Sequence, residues 1–203
     1  MNDLYAAVIH DVKNQLAELA LRLGERKDAQ AEMMIALNAA RRLSEMLLVQ
    51  REAAHILTVN PNSVNPGDFL VILAAEYREL FPKLQINIQA GQAPSFAFFD
   101  DALVRMALAN ALHNACRAAS TKVSLAAFEQ DKMLVIEVAD DGPGYPENLL
   151  QNAGAEPTSV SYQGTGLGLY LARKIAELHI LDKRHGSIEL SNSNGAVFRM
   201  KLP

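Results

Sequence analysis

Between residues 164 and 169 the chain reads Gly164-Thr165-Gly166-Leu167-Gly168-Leu169, three glycines at alternate positions ahead of a helix-spaced segment. Without a Cβ, the backbone there takes turns closed to other residues and can aim N–H groups into a concavity. After it, Leu171, Ile175 and Leu178 are apolar while Arg173, Lys174 and Glu177 are polar, the spacing of a helix. A helix opening on such a turn offers unpaired N–H groups and the positive end of its dipole, a site for phosphate. Many glycine runs are only turns, so the rest of the chain decides.

The chain has 203 residues, 50% of them hydrophobic, enough for one good core and a small second domain. A net charge of −4 leaves no electrostatic footprint for nucleic acid. With Cys116 as the single cysteine, no intrachain disulfide can form, which points to a reducing compartment. No apolar run approaches the length of a membrane span and no signal peptide opens the chain. The expectation is a soluble, cytoplasmic protein without a membrane span.

Residues 1–23 predict a helix, with Tyr5, Val8, Val12, Leu16, Leu19 and Leu23 stepping by three and four as in a bundle seam. His10 and Asn14 stand two residues off that seam, about 200° around a helix, so they share an exposed stripe. Such a histidine is either a solvated surface residue or an imidazole displayed for chemistry. Gly24 suits a helix end and Asp28 a cap for a second helix, which runs to about Ala54 with Met33, Leu37, Ala40, Leu43 and Leu47 on its apolar side. The short loop between them implies an antiparallel hairpin. Two helices bury their apolar sides poorly alone, so two hairpins from two chains are expected to form a four-helix bundle, making a homodimer. The domains expected are a hairpin at 1–58, a linker at 59–67 rich in proline and asparagine, and a second domain at 68–203.

In that second domain, Asp68–Leu80 and Asp100–Ala119 predict helices, and Gln85–Gln89, Ser95–Phe99, Lys122–Phe128, Met133–Ala139, Ser187–Ser191 and Ala196–Leu202 predict strands. A polar turn at Gln130-Asp131 joins two of them, and residues 145–163 carry no steady period and read as a mobile loop. Helices with a run of antiparallel strands make a two-layer α+β domain.

Asp140-Asp141-Gly142-Pro143-Gly144 ends an apolar strand. A carboxylate there accepts a hydrogen bond from a buried donor such as an adenine amino group, and the glycines let the main chain approach the ring; the plain alternative is an acidic turn. Asn110 and Asn114 sit one turn apart on a helix, where they can face a hydrated Mg²⁺ and phosphates or else bond between helices. Arg117, about one turn on, either adds charge toward phosphate or is exposed. Cys116 reads as a small core residue, and His55, His113 and His179 have no metal-ligand spacing.

The order of these segments resembles the sensor histidine kinases of two-component signalling, from residue 4 to residue 202. His10-Asp11-Val12-Lys13-Asn14 is similar to the family's phosphoacceptor box, Asn110–Ser120 to its asparagine box, and Asp140–Gly144 and Gly164–Leu169 to its two glycine boxes; His185-Gly186-Ser187-Ile188 and the final Phe198–Pro203 match its usual ending. The resemblance implies an α+β chain: a dimerisation and phosphotransfer hairpin, then a two-layer α/β sandwich of Bergerat (GHKL ATPase) type. By that likeness Asp140 holds the adenine amino group, with Gly142 and Gly144 at its turn, and Asn110 and Asn114 reach Mg²⁺ on the ATP phosphates, with Arg117 beside them. Gly164, Thr165, Gly166, Leu167 and Gly168 cradle the phosphates, and residues 145–163 form a lid. His10 attacks the γ-phosphorus through Nε2, Asp11 orients the ring and takes its proton, and the phosphoryl group passes to an aspartate of a response regulator receiver domain. Asn14 implies a second activity, positioning water against the regulator's phosphoaspartate.

The chain departs from the family pattern in three places. The lid carries only Tyr145 and Tyr162 as aromatics; Ile180–Arg184 looks inserted; and nothing resembling a sensor precedes His10, so either the chain is part of a longer one or a separate sensor protein supplies the signal. Two alternatives share parts of the pattern: a phosphotransfer scaffold with weak or no ATP use, and a GHKL-type serine kinase or ATPase.

Overall fold

In the computed structural model, which describes residues 2–26, 28–152 and 167–203, the chain divides into two units, Met1–Leu57 and Thr58–Pro203. The first is a pair of helices, Asn2–Gly24 (α1) and Gln30–Ala53 (α2), packed against each other. Ala20, Ala36, Ala40 and Leu48 are buried, and the small side chains let the helices approach. Gly24 serves that approach rather than a left-handed cap. It closes α1 without a positive φ, and a Cβ on it would lie 3.3 Å from Met33 Sδ. Asp28 does not cap α2 either: the N-cap is Ala29, without a side-chain bond, and Asp28 Oδ2 instead takes Arg26 Nη2 at 2.9 Å. That guanidinium holds the Asp28 carboxyl below the usual range.

The expected linker at 59–67 belongs to the second unit and is structured. Asn62–Val64 (β1) pairs antiparallel with Ala97–Phe99 (β3), and Asn65 caps Pro66–Leu80 (α3) by accepting the Asp68 N–H at 3.0 Å. Pro at the first helical position and Asn at the cap start a helix as well as they break one, which is why composition alone misread the segment.

The main sheet contains Gln85–Gln92 (β2), Lys122–Gln130 (β4), Met133–Asp140 (β5), Ser187–Asn192 (β8) and Ala196–Leu202 (β9), in the order β2-β4-β5-β9-β8. Its strands are not all antiparallel as expected: β2 runs parallel to β4, with Ile86 opposite Val123. The connection through β3 and Asp101–Ala118 (α4) is long enough for the crossover that a parallel pair needs. The β4–β5 hairpin turns on Asp131 and Lys132, one residue later than expected, both with φ near +60° (53° and 60°). The segment that looked inserted is a second hairpin, Ile180–Leu181 (β6) with Arg184–His185 (β7), turning on Asp182 and Lys183, again both at positive φ. Arg184 Nη1 donates to Lys132 O at 3.0 Å and so links the two turns.

Helices α3, α4 and Leu167–Leu178 (α6) pack against the sheet. The core between them includes Leu73, Val104, Leu108, Leu125, Ile136 and Ile175, all fully buried, and Phe69 meets Phe99 edge-on at 5.5 Å. Strand alternation turns the other residues to the opposite side. Glu137 there lies directly across from Arg199 and bonds it at 2.7 Å.

One buried polar hub sets α6 against α4. Asp100 caps α4 through Oδ1, accepting the Leu103 N–H at 2.9 Å, and takes the Asn60 N–H on Oδ2 at 2.9 Å. Its own N–H donates to His179 Nε2 at 3.0 Å, while His179 Nδ1 donates to Ile175 O at 2.7 Å. Both ring nitrogens are used, which selects the neutral form with the proton on Nδ1.

The loop expected over 145–163 begins with a short helix, Glu147–Asn152 (α5), too brief for a periodic pattern to register. Residues 153–163 of that loop, with Gly164, Thr165 and Gly166, lie outside the described residues.

Candidate functional site

Asp140 reaches its place by the same alternation that builds the core. Leu134, Ile136 and Val138 of β5 are buried on one side of the sheet, and Asp140, two residues on, is buried with them. Its Oδ1 accepts the N–H of Gly142 at 2.8 Å and of Ala196 at 3.3 Å. Two main-chain donors on one oxygen fix the carboxylate plane and leave Oδ2 for a ligand donor. Asp141 points the other way and ties the strand end down. It accepts the Thr121 hydroxyl and the N–H groups of Thr121, Lys122 and Ser120, which, the hydroxyl most of all, hold its carboxyl far below the usual range.

The glycines of this turn answer to close neighbours. A Cβ on Gly142 would stand 2.4 Å from Ala118 O, where the end of α4 passes, and Gly144 has φ +84°. Tyr145 follows. Burial, and then the Asp140 charge, push its hydroxyl pKa up. The same two causes, in the same order, push the Cys116 thiol up to about 12, in keeping with a small core residue.

Asn110 is buried and Asn114 exposed on α4; Arg117 is exposed in the last turn. The Asn110 carboxamide lies against the start of α6, where Leu167 and Gly168 are the first two residues. Two contacts on α4 thus join the predicted segments: Gly142 lies against Ala118 at the end of the helix, and Asn110, midway along it, lies against Gly168 at the start of α6. Among the described residues no group of three or more His, Cys, Asp or Glu could hold a metal ion. Asn110 and Asn114 carry neutral carboxamide oxygens, a donor type that hard cations accept.

On the first unit, His10, Asp11 and Asn14 are exposed on α1. Asp11 Oδ1 is 3.9 Å and Asn14 Nδ2 is 3.3 Å from His10 Nδ1. The two ends of the Asn14 carboxamide select opposite tautomers. With Nδ2 toward Nδ1 the ring proton sits on Nε2; with Oδ1 there instead, Nδ1 carries it and Nε2 is an open nucleophile, the form the Asp11 carboxylate also favours.

Two residues escaped sequence reasoning. Asn192 bonds both main-chain groups of Tyr145, and Gly195, at φ +142°, leaves so little room that a Cβ would lie 1.9 Å from Asp140 O. Both sit in the Asn192–Gly195 segment, legible only as a hairpin turn; nothing local marks a partner 47 residues away.

A family model described as histidine kinase-, DNA gyrase B- and HSP90-like ATPase matches residues 99–203. The chain is similar to the sensor protein kinase PilS of Pseudomonas aeruginosa, 26% identical over 198 residues, covering 86% of this chain and 36% of PilS. It is also similar to the nisin biosynthesis sensor protein NisK of Lactococcus lactis, 27% identical over 217 residues, covering 97% of this chain and 47% of NisK. The chain thus spans less than half the length of each of these relatives. Among solved structures, the catalytic domain of the histidine kinase ThkA has the same fold over 71% of this chain and 95% of its own, with a TM-score of 0.62 at 23% identity. Full-length ShkA in complex with AMPPNP matches 99% of this chain and 45% of its own, with a TM-score of 0.70 at 20% identity.

Proposed function

Because the chain belongs to the histidine kinase-, DNA gyrase B- and HSP90-like ATPase family, we propose that it is a protein-histidine autokinase whose phosphoryl group goes from ATP to His10 and then to a response regulator aspartate. The observation that carries this is the Asp140 carboxylate, with one oxygen held by two main-chain N–H groups and the other left for the amino group of a purine. In this reading residues 1–58 are the dimerisation and phosphotransfer hairpin and 68–203 the catalytic unit, working in the cytoplasm on a signal from a separate sensor protein or a further part of the chain.

Asp140 selects the purine, and Gly142 and Gly144 let the main chain approach its ring. Gly164, Thr165, Gly166, Leu167 and Gly168 supply main-chain N–H groups to the phosphates, with Arg117 adding charge. Asn110 and Asn114 would hold Mg²⁺, which would supply neutralisation of charge on the phosphates. The His10 Nε2 lone pair forms the N–P bond as the γ-phosphorus leaves the bridging oxygen, and ADP departs with that electron pair. Asp11 takes the Nδ1 proton, which keeps the ring a neutral donor through the step. The regulator's aspartate then attacks the same phosphorus and the N–P bond breaks. Asn14, beside His10, also positions water for hydrolysis of the regulator's phosphoaspartate.

Homodimerisation through a four-helix bundle is supported by the apolar residues that each single hairpin leaves exposed: Val8, Val12 and Leu19 on α1, Ile35 and Met46 on α2. The test is incubation of the full chain with γ-labelled ATP and Mg²⁺. Acid-labile label that His10→Gln abolishes is expected. Acid-stable label on a partner protein, or no nucleotide binding combined with label accepted from a phosphorylated regulator, would overturn the reading.

A further inference from the structure

The turn between β8 and β9 grips the Asp140–Tyr145 segment at three points. The Ala196 N–H donates to Asp140 Oδ1 at 3.3 Å. Gly195 lies against Asp140 O so closely that only a residue without a Cβ fits. Asn192 makes the third contact, and its chemistry is the most specific. Its Oδ1 accepts the Tyr145 N–H at 2.7 Å, and its Nδ2 donates to Tyr145 O at 2.9 Å. One carboxamide thus satisfies both main-chain groups of a single residue, as a neighbouring strand would. A Cβ on Gly144 would stand 2.8 Å from Asn192 Oδ1, so the clasp also needs the glycine.

Asp140, at one end of this segment, is held by strand pairing, with Val123 opposite it. At the other end, Tyr145 lies beyond the last residue of β5 and has no ladder partner. The Asn192 carboxamide replaces that missing partner. By holding Tyr145 it anchors the far end of the Gly142–Gly144 run, whose near end is anchored by the Gly142 N–H on Asp140 Oδ1. Without it the turn is free to sample other conformations and must be re-ordered by the ligand, which lowers affinity.

We infer that Asn192 is a positioning residue of the nucleotide site: by clasping the Tyr145 backbone it sets the Gly142–Tyr145 turn for purine binding at Asp140. This rests on the reading of Asp140 as the purine acceptor. Because Asn192 acts at the purine end, it governs nucleotide affinity and leaves the transfer step itself alone.

The test compares Asn192→Ala, Asn192→Asp and Asp140→Asn in the full chain, by ADP titration calorimetry, autophosphorylation kinetics over ATP concentration, and amide exchange at Tyr145. Asn192→Ala is expected to weaken ADP about tenfold, in line with two lost main-chain bonds. It should raise KM for ATP in parallel, hold kcat at saturation, and speed exchange of the Tyr145 N–H. Asn192→Asp keeps the acceptor but sets a carboxylate oxygen against Tyr145 O where the donor was, so it should weaken ADP at least as much as the alanine variant; it carries the test if the alanine variant does not fold. If Asp140→Asn loses ADP while both Asn192 variants bind it within twofold of wild type, the inference is overturned. A fall in kcat with KM unchanged overturns it too. If Asp140→Asn binds ADP as wild type does, the purine reading itself fails, and the role of Asn192 fails with it.

Discussion

A Cβ built on Gly168 would stand 1.9 Å from Asn110 Nδ2. The asparagine of α4 therefore occupies the space that the glycine of α6 leaves open. Two motifs 58 positions apart by their numbers are one contact in space.

Gly168→Ala should destabilise the Thr58–Pro203 unit by about 1–3 kcal/mol, the usual range for overpacking a tight site. Asn110→Ala in the same chain should relieve much of that loss, because the obstructing group is gone. A double-mutant cycle by urea denaturation measures the coupling. Additive losses would mean that the two residues do not share the space.

His179→Leu removes the acceptor for the Asp100 N–H and the donor to Ile175 O, in a buried setting. A buried N–H without a partner costs about 1–3 kcal/mol, and the fall in stability should reach at least that range. Thermal unfolding checks the size. Because the link joins the N-cap of α4 to the end of α6, amide exchange should rise first at Asp100, whose N–H loses the imidazole as acceptor, and less at Gly186, whose N–H bonds the main-chain carbonyl of residue 179.

Asp141 is a carboxylate whose folded pKa is depressed, chiefly by the Thr121 hydroxyl and the main-chain N–H groups beside it. Its stabilising effect is therefore complete above the ordinary carboxylate value of about 3.9 and fades as pH falls below it toward the folded value. Asp141→Asn should have a lower Tm than wild type at pH 6, and the gap should narrow as pH falls below about 4. A gap that stays constant from pH 6 to pH 2 would show that the carboxylate charge has no part in the effect.

Cys116, buried and with its thiol pushed up to about 12, should resist alkylation in the folded chain. At pH 8 a thiol of that acidity is thiolate only on the order of one part in ten thousand, and the thiolate is the reactive form. Iodoacetamide should label the urea-unfolded chain in minutes and the native chain at a rate lower by two orders of magnitude or more. Equal rates would place the thiol at the surface.

Asn14→Ala removes the carboxamide beside His10 and is expected to slow dephosphorylation of the cognate regulator at least tenfold, while His10 still accepts label from ATP. Release of phosphate from purified phosphoregulator measures this. An unchanged rate removes the second activity from the proposed function.

The sequence by itself determined the local elements. Apolar spacing marked α1, α2, α4 and α6, alternation marked β2, and the boxes around His10, Asn110, Asp140 and Gly164 stood out because each is written in adjacent residues. Tertiary structure decided what adjacency does not encode. The parallel pairing of β2 with β4 depends on a crossover, and β1 within the expected linker forms only because Ala97–Phe99 is there to pair with it. Asn192, the last residue of β8, becomes a clasp because folding brings Tyr145 within 2.7 Å of it. A hydrogen bond is specified by where two groups end up in space, and for partners 47 residues apart only the packing of the whole sheet sets that distance.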